Sequence, residues 1–108
     1  MFFVKINNTL YPASVSGKIS DKDWDGRESK SITLEMDYTT AINLFVNGLE
    51  WSIVQQEKID TETEETEFDN SEYNLAGDIT DHRNGRLTVK MGKLTELEEA
   101  YEIMFGGN

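Results

Sequence analysis

The chain has 108 residues and a mass of 12.3 kDa, with 21 acidic against 10 basic side chains, a formal net charge of −11 and no cysteine. This length suits one domain, and the missing cysteines exclude a disulfide framework, thiolate chemistry and cysteine-based metal sites. The acidic excess argues against nucleic acid as a partner, because binding to a phosphate backbone depends on basic side chains. The apolar runs are too short for a membrane span and a signal peptide is not evident, so we expect a cytoplasmic or virion-associated protein with no membrane partner.

Hydrophobic periodicity predicts a single α+β domain over residues 1–108. Alternating apolar residues predict six strands, at 2–6, 11–19, 32–36, 49–53, 73–79 and 87–91. Apolar residues at helical spacing predict helices at about 38–47 and 95–105, and Thr95 to Glu98 form a capping box. We expect a mixed sheet or partly closed barrel of about six strands, covered by the two amphipathic helices.

An acidic tract interrupts this pattern. Between Glu57 and Glu72 there are eight carboxylates and one lysine. Such a segment repels itself and has little to bury, which predicts a mobile loop at 59–70. The same tract could dock on a basic partner or mimic nucleic acid, but runs of this kind more often only keep a protein soluble.

Two parts of the chain resemble each other. The matched segments are 16–21 with 76–81, and 32–36 with 87–91. A Gly-Arg pair stands between the two segments in both copies, and each copy continues into a predicted helix that glycine ends. The pattern predicts an internal duplication of a strand-strand-strand-helix unit, with pseudo-repeats 1–48 and 49–108. Chance similarity between two strand–helix units is the alternative.

The most specific local motif is a partial calcium loop. Asp21, Asp23 and Asp25, followed by Gly26, match the first half of an EF-hand loop, whose carboxylates converge on one hard cation. The second half departs from the motif, since position 12, where a bidentate glutamate belongs, is Ile32. The three aspartates are therefore either a weak calcium site or an acidic turn, because Asp and Gly are ordinary turn residues.

A catalytic set is missing from the sequence. The single histidine, His82, falls in a predicted hairpin turn beside Asp81, where neighbouring side chains usually point apart. A nucleophile elbow, a phosphate-binding glycine loop and a histidine-based metal motif are all absent. We therefore predict that the protein is not an enzyme and has neither catalytic residues nor a cofactor apart from the calcium candidate.

Aromatic residues near the chain ends and in one loop predict an interface. Phe2, Phe3, Trp24 and Phe105 are difficult for one small core to bury together, and a strand that begins with Phe2 and Phe3 predicts an exposed edge. We expect a homo-oligomer, most simply a dimer. For Trp24, folding back as a lid over the open end of the core is the alternative.

Two segments, Asp23–Tyr38 and Lys90–Glu102, resemble small proteins encoded in prophages of Gram-positive bacteria. The resemblance covers about a third of the chain and brings no catalytic or binding residues with it. It implies a non-enzymatic structural or assembly role in a phage or prophage virion, around the tail, with this chain itself or another virion protein as the partner. The alternative is a small acidic binding module, calcium-stabilised or not, that recognises a basic partner or a small ligand.

Overall fold

The computed structural model describes residues 1–106, with the side chains of residues 1–104, and builds them around one seven-stranded sheet. The strands are β1 (Phe2–Ile6), β2 (Thr9–Asp21), β3 (Arg27–Glu35), β4 (Ser52–Ile59), β5 (Glu62–Asp69), β6 (Leu75–Asp81) and β7 (Arg86–Gly92). Their order in the sheet is β5-β4-β1-β2-β3-β7-β6, and every neighbouring pair is antiparallel. The helices are α1 (Tyr38–Leu44) and α2 (Glu96–Tyr101), with a 3-10 turn at Lys22–Trp24 and a π-helical turn, Glu102–Gly106, after α2.

The predicted α+β fold, with a mixed sheet or partly closed barrel, is wrong. The protein is mostly β, because its single sheet is wholly antiparallel and its helices are short. The sheet stays open, with β5 and β6 as its two edges. Each predicted strand overlaps an observed one, but residues 62–69, inside the segment predicted as a mobile loop, form β5 instead. Each residue of β5 is paired with one of β4, so backbone pairing offsets the repulsion between carboxylates.

Both helices begin as the sequence predicts and are shorter than predicted. The Asp37 side chain accepts a hydrogen bond from the Thr40 amide at the start of α1. At the start of α2, Thr95 and Glu98 each accept a hydrogen bond from the other residue's amide. Of the helices in the part of the chain that the structure describes, none has the length and apolar content to cross a membrane.

The core lies on one face of the sheet. Alternate residues of the central strands point to this face, and α1 and the segments around Trp51 and Tyr73 cover it. The buried apolar side chains of this cluster are Val4, Ile6, Ile32, Leu34, Ala41, Phe45, Trp51, Tyr73, Leu87, Val89 and Met91, and Val54 is also fully buried outside it. The Trp51 indole N–H donates to the Tyr73 carbonyl oxygen at 2.9 Å, so this buried donor is satisfied.

The strands β3 and β7 lie side by side about a local twofold axis. Thr33 is paired with Thr88, and their hydroxyl oxygens are 2.8 Å apart. On either side of this pair, Ile32 faces Val89 and Leu34 faces Leu87, which is how a twofold axis relates the segments that match in sequence. The strand order β2-β3-β7-β6 follows this symmetry, but its register does not follow the sequence repeat, because Ile79 takes the position of Ala13 and not that of Ile19. The strands β4 and β5 join the sheet beside β1. A duplication that includes all of 1–48 and 49–108 stays a prediction.

Candidate association surface and its polar anchor

The turn between β2 and β3 begins at a buried aspartate. The Asp21 side chain is fully buried, and its Oδ2 lies 2.8 Å from Lys90 Nζ and 3.0 Å from Ser29 Oγ. Its Oδ1 accepts a hydrogen bond of 3.1 Å from the Asp23 amide. The hydrogen bond from Lys90, reinforced by the Ser29 and Asp23 donors, holds the pKa of Asp21 at about 2, below its usual 3.8. Asp21 thus fixes the turn to β3 and β7.

The structure does not bring the three calcium candidates together. Asp21 is paired with Lys90, whereas the Asp25 side chain is 84% exposed on a left-handed backbone with φ of 59°. Among the described residues there is no group of three or more His, Cys, Asp or Glu side chains that could hold a metal ion. Calcium binding by Asp21, Asp23 and Asp25 stays a prediction, and it would require Asp21 to exchange the Lys90 ammonium for the metal.

The Trp24 ring lies over the same end of the sheet. A Cβ at Gly92 would lie 2.6 Å from the ring and one at Gly77 would lie 2.8 Å from it, so only glycine leaves room for the indole. The Arg27 guanidinium stands over the ring, 5.0 Å from its centroid. Trp24 thus folds back onto the sheet, but it covers the face opposite to the core, because Gly92 alternates with the buried Met91, so it is not a lid over the open end of the core.

Arg27 connects this turn to α2. Its Nη1 lies 2.7 Å and its Nη2 3.0 Å from the two carboxylate oxygens of Glu98, and Nη1 also donates to the Lys93 carbonyl oxygen at 3.1 Å. The hydrogen bonds from Arg27 lower the pKa of Glu98 to about 2. We call Asp21, Trp24, Arg27, Lys90 and Glu98 the polar anchor.

The apolar side of the C-terminal helix points away from the sheet. Leu97 and Ile103 are both 81% exposed, and Tyr101 and Met104 are exposed beside them. We call these four residues the C-terminal apolar surface. The helix is attached to the sheet through Glu98, and the four apolar side chains are exposed. The side chain of Phe105, the fourth predicted interface residue, lies outside the described residues.

The N-terminal aromatic residues occupy the middle of the sheet. Phe2 is about half exposed, whereas Phe3 is half-buried opposite Pro12 and Val54. The expectation that β1 presents an exposed edge is wrong, because β4 and β2 flank it. His82 is exposed, with Nε2 2.8 Å from the Thr88 hydroxyl.

The hairpin β4–β5 carries most of the remaining charge. Its carboxylates are those of Glu57, Asp60, Glu62, Glu64, Glu65, Glu67 and Asp69. Glu57 stands directly opposite Glu64, where two like charges repel. Among the residues that the structure describes, one ion pair reaches these carboxylates, from Lys5 Nζ to Glu67 at 3.2 Å. We call residues 57–69 the acidic hairpin.

No protein-family model, curated protein or solved structure matches this chain. A functional proposal therefore has to rest on the residues and their geometry.

The polar anchor was not predicted from the sequence. Gly26-Arg27 stood out only as part of a repeat and Glu98 only as part of a capping box, whereas Arg27 and Glu98 are 71 residues apart in sequence and form an ion pair. No local pattern singles out Arg27, because Lys22 is a second basic residue in the same acidic segment. The partner of Arg27 could not be read from spacing, because the pairing depends on how β3 and β7 meet.

Proposed function

We propose that this protein acts by association, as a non-enzymatic structural or assembly protein of a phage or prophage virion, with the tail as its specific location. The C-terminal apolar surface is the observation that carries the proposal, because four large apolar side chains on α2 and the turn after it are costly to leave in water. The resemblance to prophage proteins supplies the biological setting. A cytoplasmic or virion-associated location belongs to the same proposal.

The polar anchor supports this use of α2. Arg27 holds Glu98 through two hydrogen bonds, so the helix is fixed before a partner arrives. A helix ordered in advance loses less conformational entropy on binding than a mobile tail. The proposed partner is a second copy or another assembly protein, which packs an apolar surface against Leu97, Tyr101 and Met104 and buries about 1,000 Å² or more in total.

The effect of salt on binding distinguishes a second copy of this chain from another assembly protein as the partner. Glu96, Glu99 and Glu102 flank the C-terminal apolar surface, so two copies of α2 would bring like charges together. Screening by salt would strengthen self-association, whereas it would weaken binding to a partner that carries lysine or arginine.

Light scattering during size-exclusion chromatography, at several protein and salt concentrations, tests the homo-oligomer. We expect a dimer whose stability rises with salt, and we expect Leu97→Glu to dissociate it. Ile19→Glu is the matched control, since Ile19 is 90% exposed and lies on β2. A 12.3 kDa monomer at every concentration and salt level would contradict self-association.

The acidic hairpin favours a second candidate function, an acidic module that binds a basic partner. Within the described part of the chain its seven carboxylates form one ion pair, with Lys5, which leaves a strongly negative surface. Titration with a lysine-rich peptide, followed by backbone NMR, should perturb residues 57–69 and lose most of its effect above about 0.5 M salt. Binding that maps to α2 instead would count against the hairpin. A calcium-stabilised form of the module requires Asp21 to leave Lys90, and a rise in melting temperature with calcium but not magnesium would show it.

A further inference from the structure

A groove runs between α1 and the edge strand β6. Its volume is about 740 Å³. The apolar residues that line it are Tyr38, Ile42, Phe45, Val46, Ala76 and Ile79. Tyr38 and Ile42 on α1, and Val46 just after it, are about half exposed although α1 covers the core. The groove therefore offers apolar surface directly beside an open edge of the sheet.

The edge of β6 offers backbone hydrogen-bonding groups to the same groove. In the described residues β6 is paired only with β7, and the His82 amide donates to the Arg86 carbonyl oxygen on that side. Because successive backbone groups of a strand point to alternate sides, those of Ile79 and Asp81 point outward. The Ala76 amide also points outward, where Asn47 Oδ1 accepts from it at 2.8 Å. Asn47 thus closes one end of the free edge, and residues after 76 remain open.

The strand order of the sheet shows which part of this edge is open. The twofold axis between β3 and β7 places Ile79 and Asp81 of β6 at the positions that Ala13 and Val15 have in β2. The antiparallel strand β1 is paired with β2 at Thr9–Pro12, and the equivalent part of β6 lies around Ala76, whose amide donates to Asn47. Beside Ile79 and Asp81 there is no strand among residues 1–106. Every strand pair of this sheet is antiparallel, so an added strand that continues the sheet should be antiparallel too.

Charge indicates which strand could be added. Asp78 lines the groove and Asp81 ends β6, and neither has a basic partner among the described ion pairs. A second copy of β6 would bring four carboxylates together, whereas lysine or arginine side chains would complement them.

From these observations we propose that β6 binds an extended segment of a partner protein by strand addition. The segment runs antiparallel to β6, places apolar side chains at alternate positions into the groove against α1, and carries lysine or arginine between them. Its backbone pairs with Ile79 and Asp81, so the main chain supplies affinity and the groove supplies selectivity. This site is separate from the C-terminal apolar surface and does not depend on the function proposed for it.

A synthetic octapeptide, Lys-Phe-Lys-Val-Lys-Ile-Lys-Val, tests the proposal by backbone NMR on the full chain. We expect shifts in β6 and α1, and slower hydrogen exchange at the Ile79 and Asp81 amides. The same peptide with N-methyl groups on the side that pairs with β6 should bind at least about tenfold more weakly, because its side chains remain but its hydrogen bonds do not. Equal binding by the N-methylated peptide, or shifts confined to the acidic hairpin, would overturn strand addition at β6.

Two matched variants test the groove itself. Ile42 on α1 is 47% exposed and Ile59 at the end of β4 is 48% exposed, so glutamate at either position adds the same charge at a similar depth. We expect Ile42→Glu to weaken peptide binding by about tenfold and Ile59→Glu to change it less than about twofold. If both variants weaken binding equally, the peptide is responding to overall charge and the groove is not its site.

A nitroxide label on the peptide's N-terminus tests the direction of the added strand. Antiparallel pairing places the label near Asp81 and broadens the amide signals there. Broadening at Ala76 instead would mean parallel pairing and would overturn the proposed antiparallel direction.

Discussion

The polar anchor and the acidic hairpin both contain several charged side chains, but they differ in whether those charges are buried and paired. In the polar anchor, Asp21 and Arg27 are buried and each has an oppositely charged partner, Lys90 and Glu98. In the acidic hairpin the side chains are exposed, and one pair of glutamates stands face to face. The anchor therefore depends on specific contacts, whereas the hairpin depends on backbone pairing and on water.

This difference separates structural charge from surface charge. A buried carboxylate that loses its partner leaves an uncompensated charge in the protein, which is strongly destabilising. An exposed carboxylate that is removed leaves solvent in its place and relieves repulsion from its neighbours. We therefore expect substitutions in the polar anchor to destabilise the fold and substitutions in the acidic hairpin to be neutral or stabilising.

The largest effect is expected for Trp24→Ala. The ring fills the space over Gly77 and Gly92 and stacks on Arg27, so its loss should cost about 3 kcal/mol of unfolding free energy. Urea denaturation measures this cost. Phe68→Ala is the matched change in the acidic hairpin, where the ring is half exposed, and it should cost less than about 1 kcal/mol. Equal losses of unfolding free energy in the two variants would contradict the difference proposed between the polar anchor and the acidic hairpin.

Acid should weaken the polar anchor next. The pKa values of Asp21 and Glu98 are lowered in the fold from 3.8 and 4.5, each to about 2. A lowered carboxyl pKa stabilises the fold above the unfolded-state pKa, so this contribution is present above pH 4.5 and is lost as the pH falls towards 2. Melting temperatures across this range should decrease, and the double variant Asp21→Asn, Glu98→Gln should show a shallower decrease. A parallel decrease in the double variant would place the acid sensitivity elsewhere.

Glu98→Gln should have a smaller effect that is concentrated in α2. It weakens the pair with Arg27 but keeps the side-chain shape, and Glu98 is partly exposed, so we expect a loss of about 1 kcal/mol. Hydrogen exchange of the α2 amides should become faster. Glu99→Gln removes the same charge from the exposed side of the helix and serves as the control, with little change expected.

The smallest effect is a gain in the acidic hairpin. Glu64→Lys places an ammonium group directly opposite Glu57, which should stabilise the hairpin by about 0.5 kcal/mol at low salt. Glu62→Lys makes the same change of charge opposite Ile59, where no cross-strand partner is available. The difference between the two variants should disappear in high salt. A gain of equal size at both positions would attribute the effect to net charge.

Local patterns predicted much of the secondary structure. The alternation in Phe2–Ile6 and Leu87–Met91 located β1 and β7, and Asp37 and Thr95 located the helix starts, because each depends on neighbouring residues alone. The strand β5 was not predicted, because the composition of residues 62–69 is typical of a solvated loop. Threonines at positions 61, 63 and 66 were the available indication of a strand.

The candidate surfaces depended on tertiary arrangement, and prediction was weaker there. The spacing of Leu97, Tyr101 and Met104 predicted an amphipathic helix that covers the sheet, and this is wrong, because α2 ends at Tyr101 and these side chains are exposed. The orientation of α2 follows from the contact between Arg27 and Glu98, 71 residues apart. The groove beside β6 likewise requires the strand order, which periodicity does not contain.

The pairing of β3 with β7 also determines when the sheet can be completed during synthesis. Thr33 and Thr88 are 55 residues apart, so β3 leaves the ribosome well before its neighbour has been made. At about 5–20 residues per second, the interval is roughly 3–10 s. Throughout that time the N-terminal meander exposes the β3 edge that carries Ile32 and Leu34. Nascent chains on adjacent ribosomes can pair at this edge until β7 is synthesised and pairs with β3.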